Sequence, residues 1–463
     1  MYNKHRALTV QVQPCQEGRP APYPLPMIKH CGFFLLLLLL PRPAAAVPRI
    51  IIDDAKIASA GIRKLPPSKR LVLYTDLPSS EEIDRLPAVF DLAFPQWCEF
   101  FHVDPAQHAA WKMTAFVMKD RTRFEQAGLL PAELPPFPNG FTMDDYLWVC
   151  NKHTDYYRRH LLLHEGTHGF MITVLRGLGA PWYMEGTAEL LGTHFLDTSG
   201  REGLPRLTMN YMPANRDEAP DWGRVRTIKD LFAARQAVRL QTIIDYPIEV
   251  HAQKPTEAYA WSWAAAAFLD RHPRYHDRFR SLDKLVRGPD FNDKFYRLFQ
   301  PDWQELSEEW QVFVAGMEYG YDVARTAIDF SPGQPLPAAG TAVRVAADRG
   351  WQNSGLRLER GGNYKLTASG RYQVGTKPKI WWCEPGGVSI RYYQGRPLGQ
   401  LLAAVRPDKG TGNGVAAFLR PTVVGLGEVM APEQSGTLFF KINHSAAELK
   451  ECAGELKVSV RRE

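Results

Sequence analysis

The stretch His164-Glu165-Gly166-Thr167-His168 sets two imidazoles four residues apart, with a carboxylate beside the first. On a helix, positions i and i+4 lie one above the other on one face. Two rings so placed can grip one metal ion, and zinc suits the donors. Glu165 then lies close enough to take a proton from water without ligating the metal. Leu161, Leu162, Leu163, Phe170, Met171, Val174 and Leu175 give this helix an apolar face. A plain core helix with incidental histidines would bury three polar groups without partners, a cost that a metal removes. Gly166 and Gly169 are poor helix formers and leave room for a ligand or a neighbouring backbone.

A catalytic zinc takes three protein ligands and keeps one open position. Gly177, Gly179 and Pro181 end the first helix and turn the chain back into Pro181-Trp182-Tyr183-Met184-Glu185-Gly186-Thr187-Ala188-Glu189. Glu185 and Glu189 are again i,i+4. An exposed carboxylate at a helix start is the alternative for Glu185, but the Trp182-Tyr183 flank favours a buried position. Glu185 is therefore expected as the third ligand. Glu189 is expected to accept a hydrogen bond from a ligating imidazole.

The two segments together resemble the gluzincin metallopeptidases, a group that pairs HExxH with a downstream glutamate. The second segment is similar to their W-x-x-E-G-x-A-E stretch. The resemblance extends from about Arg70 to Tyr321, with its specific part between Leu161 and Leu191. It implies His164, His168 and Glu185 as zinc ligands and Glu165 as general base. It also implies an oxyanion donor from a downstream helix, for which Tyr259 is the choice, with Tyr183 and His194 as rivals. The metzincin pattern is excluded, because Met171 stands where its glycine would be. A GxMEN-type exopeptidase signature is absent from the sequence, so aminopeptidase activity does not carry over.

Strands are expected at Leu71–Asp76 and Met113–Met118, with a third made of Gly140-Phe141-Thr142 and Tyr146–Cys150, directly before the metal helix. A helix opens at Ser79-Ser80-Glu81-Glu82 with good capping chemistry. The strand nearest the site should be a sheet edge, whose free backbone groups can pair with an extended peptide. Helices follow at Thr227–Val238, Thr256–Arg271, His276–Val286 and Asp302–Met317. Asp302 with Glu305 forms a capping-box-like start.

The chain of 463 residues is 45% hydrophobic and 23% charged, ordinary for globular protein. Residues 1–46 read as a secretory leader: a basic Met27-Ile28-Lys29-His30, an apolar run Cys31 to Leu40, and small residues ending at Ala46. Met27 is expected to be the true start. The run is too short for a stable transmembrane anchor. Five basic and one acidic side chains fall in this leader, leaving 51 against 49 in the remainder. That balance gives no case for nucleic-acid binding. The expected location is secreted, periplasmic or at the cell surface. Export permits disulfides, and Cys98–Cys150 and Cys383–Cys452 are the natural pairs, with free buried thiols as the alternative.

Residues 331–340 read as a linker by composition. From 341 to 463 short alternating strands with glycine turns indicate a β-sandwich. Trp351-Gln352-Asn353-Ser354-Gly355-Leu356, the run Gly361 to Gly370, and Gly436 to Asn443 are similar to the bacterial galactophilic lectins, over about Ala342 to Arg462. Those lectins hold sugar through calcium. Here His444 replaces an aspartate, and Glu451-Cys452 replaces two asparagines. Asn443 survives, with Glu448 and Glu451 as substitutes, too few oxygen ligands for calcium to be expected.

The expected fold is an α+β zincin-like domain over 47–330, with a mixed sheet, zinc-binding helices and a helical C-terminal part. An all-β, jelly-roll-like sandwich follows. The expected function is a secreted zinc endopeptidase acting on protein or peptide, with the sandwich for targeting or glycan binding. The alternative is a non-catalytic carbohydrate-binding protein on a zincin scaffold, which would have no need of Glu165.

Overall fold

The computed structural model describes residues 50–199, 205–412 and 414–463. The expected leader, residues 1–46, and its start at Met27 lie outside them. From Ile50 onward the chain forms one compact unit.

A mixed sheet of five strands lies in the order β1-β2-β3-β5-β4. They are β1 Arg63–Lys64, β2 Leu71–Thr75, β3 Met113–Met118, β4 Gly140–Met143 and β5 Tyr146–Cys150. β2, β3 and β5 run parallel, while β1 and β4 are antiparallel edges. Side chains alternate across a strand, and both faces are covered. Leu73, Ala115, Val117, Leu147 and Val149 face the main helical core. Tyr74, Phe116, Met118, Trp148 and Cys150 face a smaller cluster behind.

The same alternation corrects one expected disulfide. Cys98 is in the main core and Cys150 is in the cluster on the opposite face. Cys383 and Cys452 share the sandwich core, yet all four are free thiols. Cys383 Sγ donates to the Glu384 carbonyl at 3.1 Å.

The motif helix spans Asp155–Phe170, started by Thr154, whose Oγ1 accepts from the Tyr157 amide at 3.3 Å. It runs into a π-helical turn at Met171–Leu175, and Arg176 closes it at φ 58°. The return helix is Pro181–Gly192. It packs against a long helix, Pro255–Arg271, rich in alanine. A Cβ on Gly186 would sit 2.5 Å from the Ser262 carbonyl oxygen, so that glycine sets the close approach of the two helices. Gly166 and Gly169, expected from sequence to leave room for a ligand or a neighbouring backbone, are instead packed by side chains. They admit the rings of Phe90 and Trp97 and the side chain of Met113.

The other helices fall near their expected places at Arg224–Ala233, His276–Arg280 with a 3-10 extension to Leu285, and Trp303–Ala315. Asp302 makes no side-chain cap. Its carboxylate goes instead to Arg278 at 2.6 Å, where a cation outcompetes a backbone amide.

The C-terminal part is strand-rich. One sheet has the order β17-β16-β19-β10-β8 and the other β18-β11-β20-β9. Their strands are β8 Gln334–Pro335, β9 Thr341–Ala346, β10 Gln352–Leu358, β11 Tyr364–Ser369, β16 Leu401–Pro407, β17 Thr422–Val423, β18 Gly427–Met430, β19 Gly436–Ile442 and β20 Glu455–Arg462. Separate two-stranded hairpins are β6 His194–Asp197 with β7 Arg206–Met209, and β14 Val388–Tyr393 with β15 Arg396–Leu398. Apolar residues of both sheets, Leu358, Leu366, Phe440 and Val458 among them, share one core. β8 falls within the compositional linker 331–340 and pairs in parallel with β10. A further cluster of Ile328, Trp351, Phe418 and Phe439 joins the strand-rich part to the helices through Val312 and Phe330. Among the described residues no helix is long and apolar enough to cross a membrane.

Candidate metal centre

The motif helix presents His164 and His168 on one face, and the antiparallel return helix brings Glu185 opposite them. His164 Nε2 and His168 Nε2 are 3.1 Å apart. Glu185 Oε2 lies 3.3 Å from the first and 3.4 Å from the second. Zinc bound tetrahedrally at about 2.0–2.2 Å spaces its donors by about 3.3–3.6 Å, so these three atoms form one face of such a site. Glu185 Oε2 is buried and has no hydrogen-bond partner. The donor set therefore fits a zinc ion.

The electrostatics point the same way. Burial would lower His164, but the carboxylates of Glu185 and Glu189 outweigh it and hold the ring up to about 9. Burial would raise Glu185, yet the two imidazoles hold it far below the usual carboxylate range. Both directions describe a point in the protein that favours positive charge.

Glu165 is 5% exposed. Burial raises its pKa, partly offset by the two histidines. Thr142 Oγ1, on β4, lies 2.7 Å from Glu165 Oε2 and 3.0 Å from its carbonyl oxygen. A Cβ on Gly140 would meet Glu165 Oε1 at 2.4 Å. The edge strand thus holds the carboxylate through Thr142 and leaves room for it at Gly140.

Glu189 Oε1 is 3.5 Å from His164 Nδ1, the geometry expected of a carboxylate behind a ligating ring. Arg224 grips Glu189 with two hydrogen bonds of 2.9 Å, and His160 Nε2 sits 3.4 Å from its other side. Burial would raise Glu189, but Arg224 and His160 hold it well below its ordinary range.

Tyr259 comes from the long helix, one turn before the contact at Ser262. Its ring centroid is 6.0 Å from that of His164 and 5.5 Å from that of His251. Glu185 first, then burial and Glu165, push its hydroxyl well above its ordinary range and keep it a donor. The two rivals are elsewhere. Tyr183 packs in the core against Phe279 and Phe291. His194 stacks on Tyr156 at 4.6 Å and spends Nδ1 on the Gly192 carbonyl.

Arg224, Thr142, Gly140 and His251 were not found from sequence. Arg224 has no local signature, since it reaches the site from a different helix. His160 had one: it stands one helical turn before His164, on the same face.

The loop residues of the strand-rich part are engaged elsewhere. Asn443 Nδ2 donates toward the carbonyls of Tyr393, Arg396 and Pro397 at 3.0–3.2 Å. The His444 ring meets the Val374 carbonyl at 2.8 Å. Glu448 pairs with Arg391 at 2.8 Å, and Glu451 accepts from Thr376 at 3.0 Å.

No family model matches the chain, and a search of curated proteins finds no match. Among solved structures the chain is similar to an EclA N-terminal domain described as a PllA-like lectin. The identity is 24% and the TM-score 0.21, over 26% of this chain and 95% of that one.

Proposed function

We propose that the chain is a zinc-dependent peptidase of the gluzincin type, with a zincin-like fold in its sheet-and-helix part. His164, His168 and Glu185 would hold the ion. When bound, it would supply Lewis-acid chemistry to water and to the scissile carbonyl. Glu165 takes a proton from the attacking water and delivers it to the leaving amine nitrogen. Its burial makes it a stronger base, and Thr142 fixes its orientation. The Tyr259 hydroxyl donates to the oxygen that gains charge, a role worth several kcal/mol in comparable sites. β4, with no strand on its outer side among the described residues, offers backbone groups for an extended peptide. The strand-rich part serves as a jelly-roll-like module for targeting or glycan contact, and the protein acts outside the cytoplasm.

The observation that carries this reading is the convergence of three donor atoms within 3.1–3.4 Å, with a buried carboxylate beside them. The test is a digest of a broad protein mixture by wild type and by Glu165→Gln. Cleavage by wild type and loss of at least about a hundredfold in the variant, with zinc retained, is expected. Equal rates would overturn the role of Glu165.

A further inference from the structure

The strand-rich part carries a projecting hairpin, β12 Tyr372–Gly375 and β13 Trp381–Cys383. Its base is fixed. Tyr372 is buried and its hydroxyl donates to the Glu384 carbonyl at 3.1 Å, while Gln373 Nε2 donates to the Glu451 carbonyl at 2.6 Å. Its tip is open: Thr376, Lys377, Pro378, Lys379 and Ile380 are all exposed. Ile380 is 53% exposed and Trp382 51%. Lys377, Lys379 and Arg371 form no ion pair among the described residues, and the sequence has no acidic residue between Gly370 and Cys383. The Arg371 guanidinium lies over the Trp382 ring at 5.5 Å from its centroid.

We infer that this hairpin docks the protein on an anionic lipid surface. The hairpin's own charges, Arg371, Lys377 and Lys379, are all positive, and they outnumber Glu384 just after it and Glu451, which accepts from Thr376; this positive excess calls for a negative partner. The two exposed apolar side chains would enter the boundary between headgroups and acyl chains. The flanking cations would stay among the phosphates, the division of labour of interfacial segments. A sugar partner fits less well. Trp382 has one face covered by Arg371, and the hairpin's one amide, Gln373, is already spent on Glu451. The free polar groups of the tip, the ammoniums of Lys377 and Lys379, only donate, and Thr376 is held by Glu451, so the hairpin lacks the free acceptor that sugar hydroxyls also need.

The test is co-sedimentation of the full chain with vesicles of phosphatidylcholine alone or with about 30 mol % phosphatidylserine. Three variants are compared with wild type: K377E/K379E, I380S/W382S, and I390S on a neighbouring hairpin. Ile390 is 83% exposed, but the cation beside it, Arg391, is already paired with Glu448. Salt-sensitive binding to the anionic vesicles is expected. It should fall at least about tenfold in each double variant and stay unchanged in I390S. Equal binding to both vesicles, or equal binding by all variants, would overturn the proposal. So would a loss in I390S as large as in the double variants.

Discussion

Arg224 holds Glu189 with two hydrogen bonds, and Glu189 backs His164. Partners behind a ligating histidine typically contribute ten- to a hundredfold in metal affinity. Arg224→Ala should therefore weaken zinc binding by about that factor, read by competition with a chelator. It should also destabilise the fold by about 3–5 kcal/mol, because it leaves a buried carboxylate short of a partner. Unchanged zinc affinity would place Arg224 in a purely structural role. Gly140 tests the other side of the site. In Gly140→Val a side chain would occupy the space of Glu165 Oε1, so hydrolysis should fall at least about tenfold with zinc content intact. At this scale the candidate donors His164 and His168 were legible because i,i+4 spacing on a helix is a local signal. Arg224 and Gly140 were not, because each reaches the site only through tertiary packing.

The long, periodic elements could be read closely from the sequence. Met113–Met118 has the expected bounds, and the long helix differs by one residue at its start. Short elements were harder. Gly140-Phe141-Thr142 and Tyr146–Cys150 read together as a third strand but form a hairpin, β4 and β5, with Asp144 turning at φ 50°. The Asp302 cap failed because capping depends on what else can reach the carboxylate. The Gly186 contact with Ser262 is a helix–helix feature invisible to single-helix reasoning. Gly186→Val should push the return helix off the long helix. It should cost about 1–3 kcal/mol by overpacking, seen as a lower midpoint in urea unfolding. A neutral result would mean that the two helices can separate freely without loss.

At the scale of the molecule, the strand-rich part has its own core but is not loosely tethered. Glu308, on the helix Trp303–Ala315, is 0% exposed and bonded by Arg406 of β16 at 2.8 Å. The aromatic cluster around Phe418 and Phe439 packs on Val312 and Phe330. The composition of 331–340 suggested a tether; pairing of β8 with β10 depends on partners that composition does not encode. A fragment from 341 to 463 keeps the core between the two sheets and should fold alone. Calcium should raise its Tm by less than about 5 °C, since Asn443, His444, Glu448 and Glu451 are each committed to protein partners. A larger rise would mean that these side chains rearrange around the ion.

The account rests on one buried point where His164, His168 and Glu185 meet, and metal analysis of the purified protein tests it most directly. About one zinc per chain is expected in wild type and in Glu165→Gln, with most of it lost in His168→Ala and in Glu185→Ala. Absence of zinc from wild type after zinc supplementation, or full zinc retention in both ligand variants, would contradict it.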